Sequence, residues 1–201
     1  MRIGITGGIG SGKSYVARLL TEHFGIPVYD SDGEARRLMT QSPQIRSGLQ
    51  RLLGPEAYTA EGQLCKPVVV RYLFASPENS AKVNAIVHPA VKQDFLRWAA
   101  LHEGTVALES AILVEAGFRD VVDCLMVVSA PEDVRVQRAM RRDGVGEEAV
   151  RQRMARQLNE DERLKAADYI VHNDGRNLLP QLSEFIKVFI HNEHNTTQKN
   201  T

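Results

Sequence analysis

Thr6-Gly7-Gly8-Ile9-Gly10-Ser11-Gly12-Lys13-Ser14 decides the fold. Residues 7 to 14 fit G-x-x-x-x-G-K-[ST], in which glycines let backbone N–H groups curl around a polyphosphate. The lysine supplies a point charge, and the Ser hydroxyl is available to Mg²⁺. The flanks agree with this reading. Arg2–Thr6 is a short strand-like run, and Val16, Leu19, Leu20 and Phe24 follow at helical spacing. The helix should stop at Gly25, with Pro27 beyond it. Strand, glycine loop and helix in that order place a helix N-terminus under an anion. Gly8, Gly10, Ser11, Gly12, Lys13, Ser14 and the amide of Tyr15 are therefore candidate nucleotide contacts, with Ser14 as a metal ligand.

Four further runs read as strands: Pro27–Tyr29, Thr105–Glu109, Asp123–Val128 and Tyr169–Val171. Their alternation with helical sequence predicts an α/β fold, a three-layer α/β/α arrangement around a five-stranded parallel sheet. Val106-Ala107-Leu108 and Leu125-Met126-Val127-Val128 are continuously apolar, as strands covered on both faces are. Ligands in such sheets bind beyond the carboxyl ends of the strands. The polar residues at those ends are Asp30 and Asp32, Glu109 and Ser110, Ser129, and His172 and Asn173.

Two stretches do not fit the sheet. Residues 33–100 read as a helical insertion, with turns marked at Ser42-Pro43, Gly54-Pro55, Glu61-Gly62, Ser76-Pro77 and His88-Pro89. Residues 132–167 read as an arginine-rich helical lid. Ser129-Ala130-Pro131-Glu132 resembles a capping box at its start, followed by a helix to Arg142, a turn at Gly144-Val145-Gly146 and a second helix from Glu147. Residues 1–32, 101–131 and 168–190 then form the nucleotide-binding core, and 191–201 a polar tail.

Composition removes several classes. Lys+Arg and Asp+Glu stand at 25 each, so no global field argues for nucleic acid. No apolar run approaches the ~20 residues a membrane span requires. Cys65 and Cys124 have no metal spacing and read as packed, reduced thiols, which suits a cytoplasmic protein. The expected assembly is a monomer or a weak homo-oligomer.

Asp32, nineteen residues past Lys13, is the candidate acceptor of a hydroxyl proton, while Asp30 is expected to cap the next helix. Arg138 and Arg142 share a helix face, and their planar forks suit phosphate. Glu109 could hold Mg²⁺ through water or cap a helix. A GTP-dependent switch is disfavoured, since no Asn-Lys-x-Asp motif occurs.

From Arg2 to about Gly175 the chain resembles the dephospho-CoA kinases. Thr6 through Ser14 matches that family's loop letter for letter. Asp30-Ser31-Asp32 with Ala35-Arg36, and Asn84-Ala85-Ile86-Val87-His88-Pro89, are similar to two of its acceptor-side segments. Leu113-Val114-Glu115, Gln137-Arg138, Arg142-Asp143, Gln157, Ala167-Asp168 and Asn173-Asp174-Gly175 continue the likeness in order. The resemblance implies transfer of the ATP γ-phosphate to the 3′-hydroxyl of dephospho-CoA with Mg²⁺. Asp32, Lys13 and Arg142 would act on the reacting groups. Arg36 and His88 would lie near the acceptor, Arg138 and Arg142 on the ATP phosphates, and Asn173 near the adenine. The chain departs from the family at Tyr15, usually Thr, at Ala111-Ile112, where a proline is usual, and at Lys66, usually Arg. Another small P-loop kinase of a nucleotide or metabolite is the competing reading.

Overall fold

The computed structural model describes residues 1–191. In chain order its elements are β1 (Arg2–Thr6), α1 (Lys13–Phe24), β2 (Val28–Asp30), α2 (Ser31–Gln41), α3 (Pro43–Leu53), α4 (Lys66–Ala75), α5 (Pro77–Ala100), β3 (Val106–Glu109), β4 (Cys124–Ser129), α6 (Glu132–Asp143), α7 (Glu147–Met154), α8 (Glu160–Lys165), β5 (Tyr169–His172) and α9 (Leu178–Phe185). A π-helical turn, Ile186–His191, follows α9. The polar tail expected over 191–201 lies, past His191, outside the described residues.

Contacts divide the chain into two units, Met1–Tyr29 with the chain from His102 onward, and Asp30–Leu101. The five strands form one parallel sheet in the order β2-β3-β1-β4-β5. All five lie within one residue of the runs read from sequence. β2 starts one residue late, at Val28, because Pro27 has no N–H; the Pro27 carbonyl still accepts from Ala107 N at 2.8 Å.

Alternation along the strands assigns the two faces. Ile3, Ile5, Cys124, Met126, Val128, Ala107 and Val171 pack with Val16, Leu19 and Leu20 of α1 and Leu178, Leu182 and Phe185 of α9. The opposite face carries Gly4, whose missing side chain makes room for Leu113, Val122 and Leu125. A Cβ on Gly4 would stand 2.9 Å from Leu113 Cδ1 and 3.1 Å from Val122 Cγ2. Leu113, Phe118, Val121 and Val122 are all buried, so the irregular segment after β3 covers this face.

The second unit is helical. Asp30 caps α2, accepting from Asp32 N and Gly33 N, both at 3.1 Å, as expected for this residue. Ser42 and Ser76 cap α3 and α5, each with Pro in the first turn. Arg37 of α2 bridges to Asp94 of α5 at 2.8 Å. Phe95 is fully buried and stacks with Trp98. Cys65 and Cys124, both among the described residues, form no disulfide, and Cys124 is buried in the sheet.

Three local expectations fail. His88-Pro89 is not a turn: Pro89 lies inside α5, which runs unbroken from Pro77 to Ala100. Val83, Val87, Val91 and Phe95 form a continuous buried stripe on both sides of the proline, and that packing overrides its local cost. The capping box at Ser129 does not form, since the Ser129 hydroxyl donates to Glu160 Oε1 at 3.0 Å and α6 begins without a side-chain cap. Residues 132–167 form more than a two-helix hairpin, because α8 adds a third helix capped by Asn159.

Gly4→Ala should destabilise the chain by about 1–3 kcal/mol, because Leu113 and Val122 must yield in a filled core. Denaturant unfolding of the two chains checks this.

Candidate active site

The loop leaves β1 at the point where the strand order reverses, with β3 on one side of β1 and β4 on the other. Gly10 (φ 77°) and Gly12 (φ 93°) take left-handed conformations that other residues adopt only under strain. Ser11 N bonds to Gly8 O at 3.0 Å, and α1 opens at Lys13 with no side-chain cap, which leaves the positive end of its dipole at the loop. Ser14 Oγ donates to Glu109 Oε1 at 2.7 Å, so the end of β3 and the start of α1 present a hydroxyl and a carboxylate together. Thr6 Oγ1 and Ser11 Oγ are buried without a hydrogen-bond partner. Tyr15, exposed, lies beneath the Arg18 guanidinium 5.2 Å from its ring centre, and its amide donates to Gly12 O.

The outer side of the loop is held by three residues, one of them braced by a fourth. Gln157, between α7 and α8, accepts from Ile9 N at 2.8 Å. Asn173, just past β5 and buried, donates from Nδ2 to Ser11 O at 2.8 Å. A Cβ on Gly12 would overlap that amide. Arg138 of α6 in turn donates to Asn173 O at 3.1 Å and to Asn173 Oδ1 at 3.4 Å. Arg135 lies against Gly8 and Gly10: a Cβ on the first would overlap its Nη1, and on the second its carbonyl oxygen.

Arg142 has a different position from its neighbour. It closes α6 by pairing with Asp143 at 2.7 Å, and Arg153 of α7 meets the same carboxylate at 2.7 Å. These two guanidinium groups, Arg142 first, hold the Asp143 carboxyl well below the usual range. The pairing pins the turn between α6 and α7.

Within the helical unit, Asp32 and Arg36 are exposed and one turn apart on α2, so they share a face. His88 is half-buried on α5, the helix against which α2 packs. Burial pushes its imidazole pKa down, with Lys92 one turn later adding to the effect.

The structure thus brings Gly8, Gly10, Ser11, Gly12, Lys13, Ser14, Glu109, Arg138 and Asn173 together within one unit. Asn173, expected near the adenine, makes contacts with the loop backbone, Arg138 and the Ser129 carbonyl. Sequence reading missed Gln157, Glu160 and Arg135 as neighbours of the loop. A signal for Arg135 was present: Arg135, Arg138 and Arg142 recur at i, i+3 and i+7, on one helix face.

A glycine-turned loop at the switch point of a parallel sheet, with a Ser–carboxylate pair at its end and an arginine-bearing helical segment against it, defines a P-loop phosphotransferase. The family model described as dephospho-CoA kinase matches residues 1–178. A dephospho-CoA kinase of Bacteroides fragilis is 44% identical over 189 residues, covering 92% of this chain and 91% of that one. One of Porphyromonas gingivalis is 45% identical over 188 residues, covering 92% of each. The crystal structure of TT1252 from Thermus thermophilus superposes with a TM-score of 0.81 at 35% identity, covering 94% of this chain and 97% of that one. The chain belongs to the dephospho-CoA kinase family, phosphotransferases with an alcohol group as acceptor.

The lowered His88 pKa has a definite sign. The unfolded chain takes up a proton near the ordinary value of about 6.5, the folded chain only at lower pH. Stability is therefore full above that value and declines as pH falls below it. His88→Asn should flatten this decline, as melting curves between neutral and acidic pH would show.

Proposed function

We propose that this chain transfers the γ-phosphoryl group of ATP to the 3′-hydroxyl of dephospho-CoA, yielding coenzyme A and ADP, the last step of coenzyme A biosynthesis. The observation that carries this is the held phosphate loop with the Ser14–Glu109 pair at its end, in a chain whose family has one named reaction. The 3′-oxygen attacks phosphorus, the bond to the ADP oxygen breaks, and the hydroxyl proton passes to Asp32. The transition state is loose, so Asp32 serves mainly by orienting the hydroxyl, which an ordinary carboxylate can do. Lys13 neutralises charge on the β- and γ-phosphates, and loop amides bind the same oxygens. Arg138 and Arg142 approach the phosphates from the lid, residues 132–167, and Arg142 exchanges Asp143 for phosphate in doing so. Arg36, His88 and the helical insertion 33–100 hold the acceptor.

Ser14 and Glu109 suit Mg²⁺, a hard cation that takes oxygen ligands and keeps most of its waters and substrate phosphates. Ser14 would bind it directly and Glu109 through water, and the ion would supply charge neutralisation across the β- and γ-oxygens. No helix among the described residues is long and apolar enough to cross a membrane. That Cys65 and Cys124 form no disulfide accords with a reducing, cytoplasmic setting. The assembly proposed is a monomer or a weak homo-oligomer.

An assay that offers ATP with dephospho-CoA, AMP, CMP or shikimate should show ADP release with dephospho-CoA. Turnover of another acceptor instead would favour the small-kinase reading. Asp32→Asn should lower kcat by about 10²-fold or more while ATP still binds. Lys13→Ala should weaken both ATP binding and turnover. Ser14→Ala should raise the Mg²⁺ concentration needed for half-maximal rate.

A further inference from the structure

Behind the phosphate loop, one carboxylate serves two buried arginines. Glu160 Oε2 accepts from Arg163 Nη1 at 2.7 Å and from Arg135 Nη1 at 3.0 Å. Its other oxygen accepts from Ser129 at the carboxyl end of β4. The Arg163 side chain is 2% exposed and that of Arg135 9%. Arg163 is further satisfied by Leu158 O at 2.7 Å. The Nε atoms of both arginines are buried and have no partner.

Glu160 and Arg163 alone would make a neutral, well-bonded pair. Arg135 is the second cation on the same oxygen, and it leaves a formal excess of one positive charge in a buried cluster. Such an excess is costly unless an anion compensates it. The cluster adjoins the loop directly, since Arg135 Nη1 lies where a Cβ of Gly8 would be, Arg163 Nη1 would be 3.3 Å from it, and the Arg135 carbonyl blocks Gly10. The excess charge is therefore placed where the reaction brings a polyphosphate.

We infer that Arg135, held by Glu160 against Gly8 and Gly10, is a positioning residue for ATP: it fixes the loop from behind and supplies a positive charge that favours the triphosphate. This rests on the assignment of the loop to ATP above, and not on the identity of the acceptor. Arg135 links α6 to the loop, and Glu160 links α6, α8 and β4. The lid and the loop are thereby joined through one carboxylate.

Arg135→Gln tests this. The amide still donates to Glu160, and Glu160–Arg163 remains a neutral pair, so the fold should hold. The expected result, by direct titration with ATP in the absence of acceptor, is a Kd about tenfold higher. Its dependence on salt should be weaker than in the parent chain. The KM for the acceptor should stay unchanged, and Arg135→Lys, which keeps the charge, should recover most of the ATP affinity. An ATP Kd in Arg135→Gln within about twofold of the parent would overturn the inference. So would a melting temperature lowered by more than about 5 °C, which would make Arg135 a structural residue only. If the unaltered chain binds ATP yet phosphorylates a different acceptor, the proposed function fails while this test stands.

Discussion

A phosphate loop binds its ligand with backbone amides, and an amide can aim at an anion only if the rest of the peptide is held from the other side. That constraint organises this protein. Asn173 takes the Ser11 carbonyl, Gln157 takes the Ile9 amide, and Arg135 fills the space behind Gly8 and Gly10. Each hydrogen bond contributes only about 0.5–1.5 kcal/mol net, but a buried peptide group left unpaired costs more. Glycine at 8, 10 and 12 therefore has two causes. Positive φ requires it at 10 and 12, and at all three a side chain would collide with the residues that hold the loop.

The sheet supplies those residues. Parallel strands end on the same side, so β1, β3, β4 and β5 deliver Gly7, Glu109, Ser129 and Asn173 to one edge. Glu109 reaches Ser14 because β3 lies beside β1. Asn173 reaches Ser11 because Asn173 N pairs with Ser129 O, which carries the β5 end against β4. None of these pairs is close in sequence. They depend on strand register, which is set in turn by the two buried faces. On the face away from α1, register tolerates no Cβ at Gly4.

This division explains what could be read in the sequence. Strand–loop–helix at the N-terminus, the five strands and the Asp30 cap are local patterns, each complete within a few residues, and each was legible. Where a local signal competed with a distant partner, the distant partner prevailed. Ser129 had the letters of a capping box, but its hydroxyl found Glu160, thirty-one residues on. Pro89 had the look of a turn, but the valine stripe of α5 continued through it. Asn173 could be placed at a strand end from sequence alone, but not against Ser11. Arg135 could be placed on a face with Arg138 and Arg142, but nothing in its spacing said that it is buried and they are less so. Family resemblance supplied Gln157 as a matching letter without its role.

The arginines show why a balanced composition was uninformative here. Net charge is zero over the chain, and most of the lid's cations are matched nearby. Arg151 pairs with Glu132 and Glu147, and Arg142 and Arg153 share Asp143. These are half-exposed pairs, worth little individually because water and salt screen them. They fix the geometry of α6 and α7 without creating a field. The Glu160 cluster is different in kind: its two guanidinium groups are buried, it carries one cation more than its carboxylate can balance, and it adjoins the loop. A charge in that setting is screened much less than one at the surface. The chain can thus be neutral overall and nearly neutral across residues 132–167, yet still place an unbalanced cation against the loop. That distribution follows from which arginine meets which carboxylate, and composition does not record it.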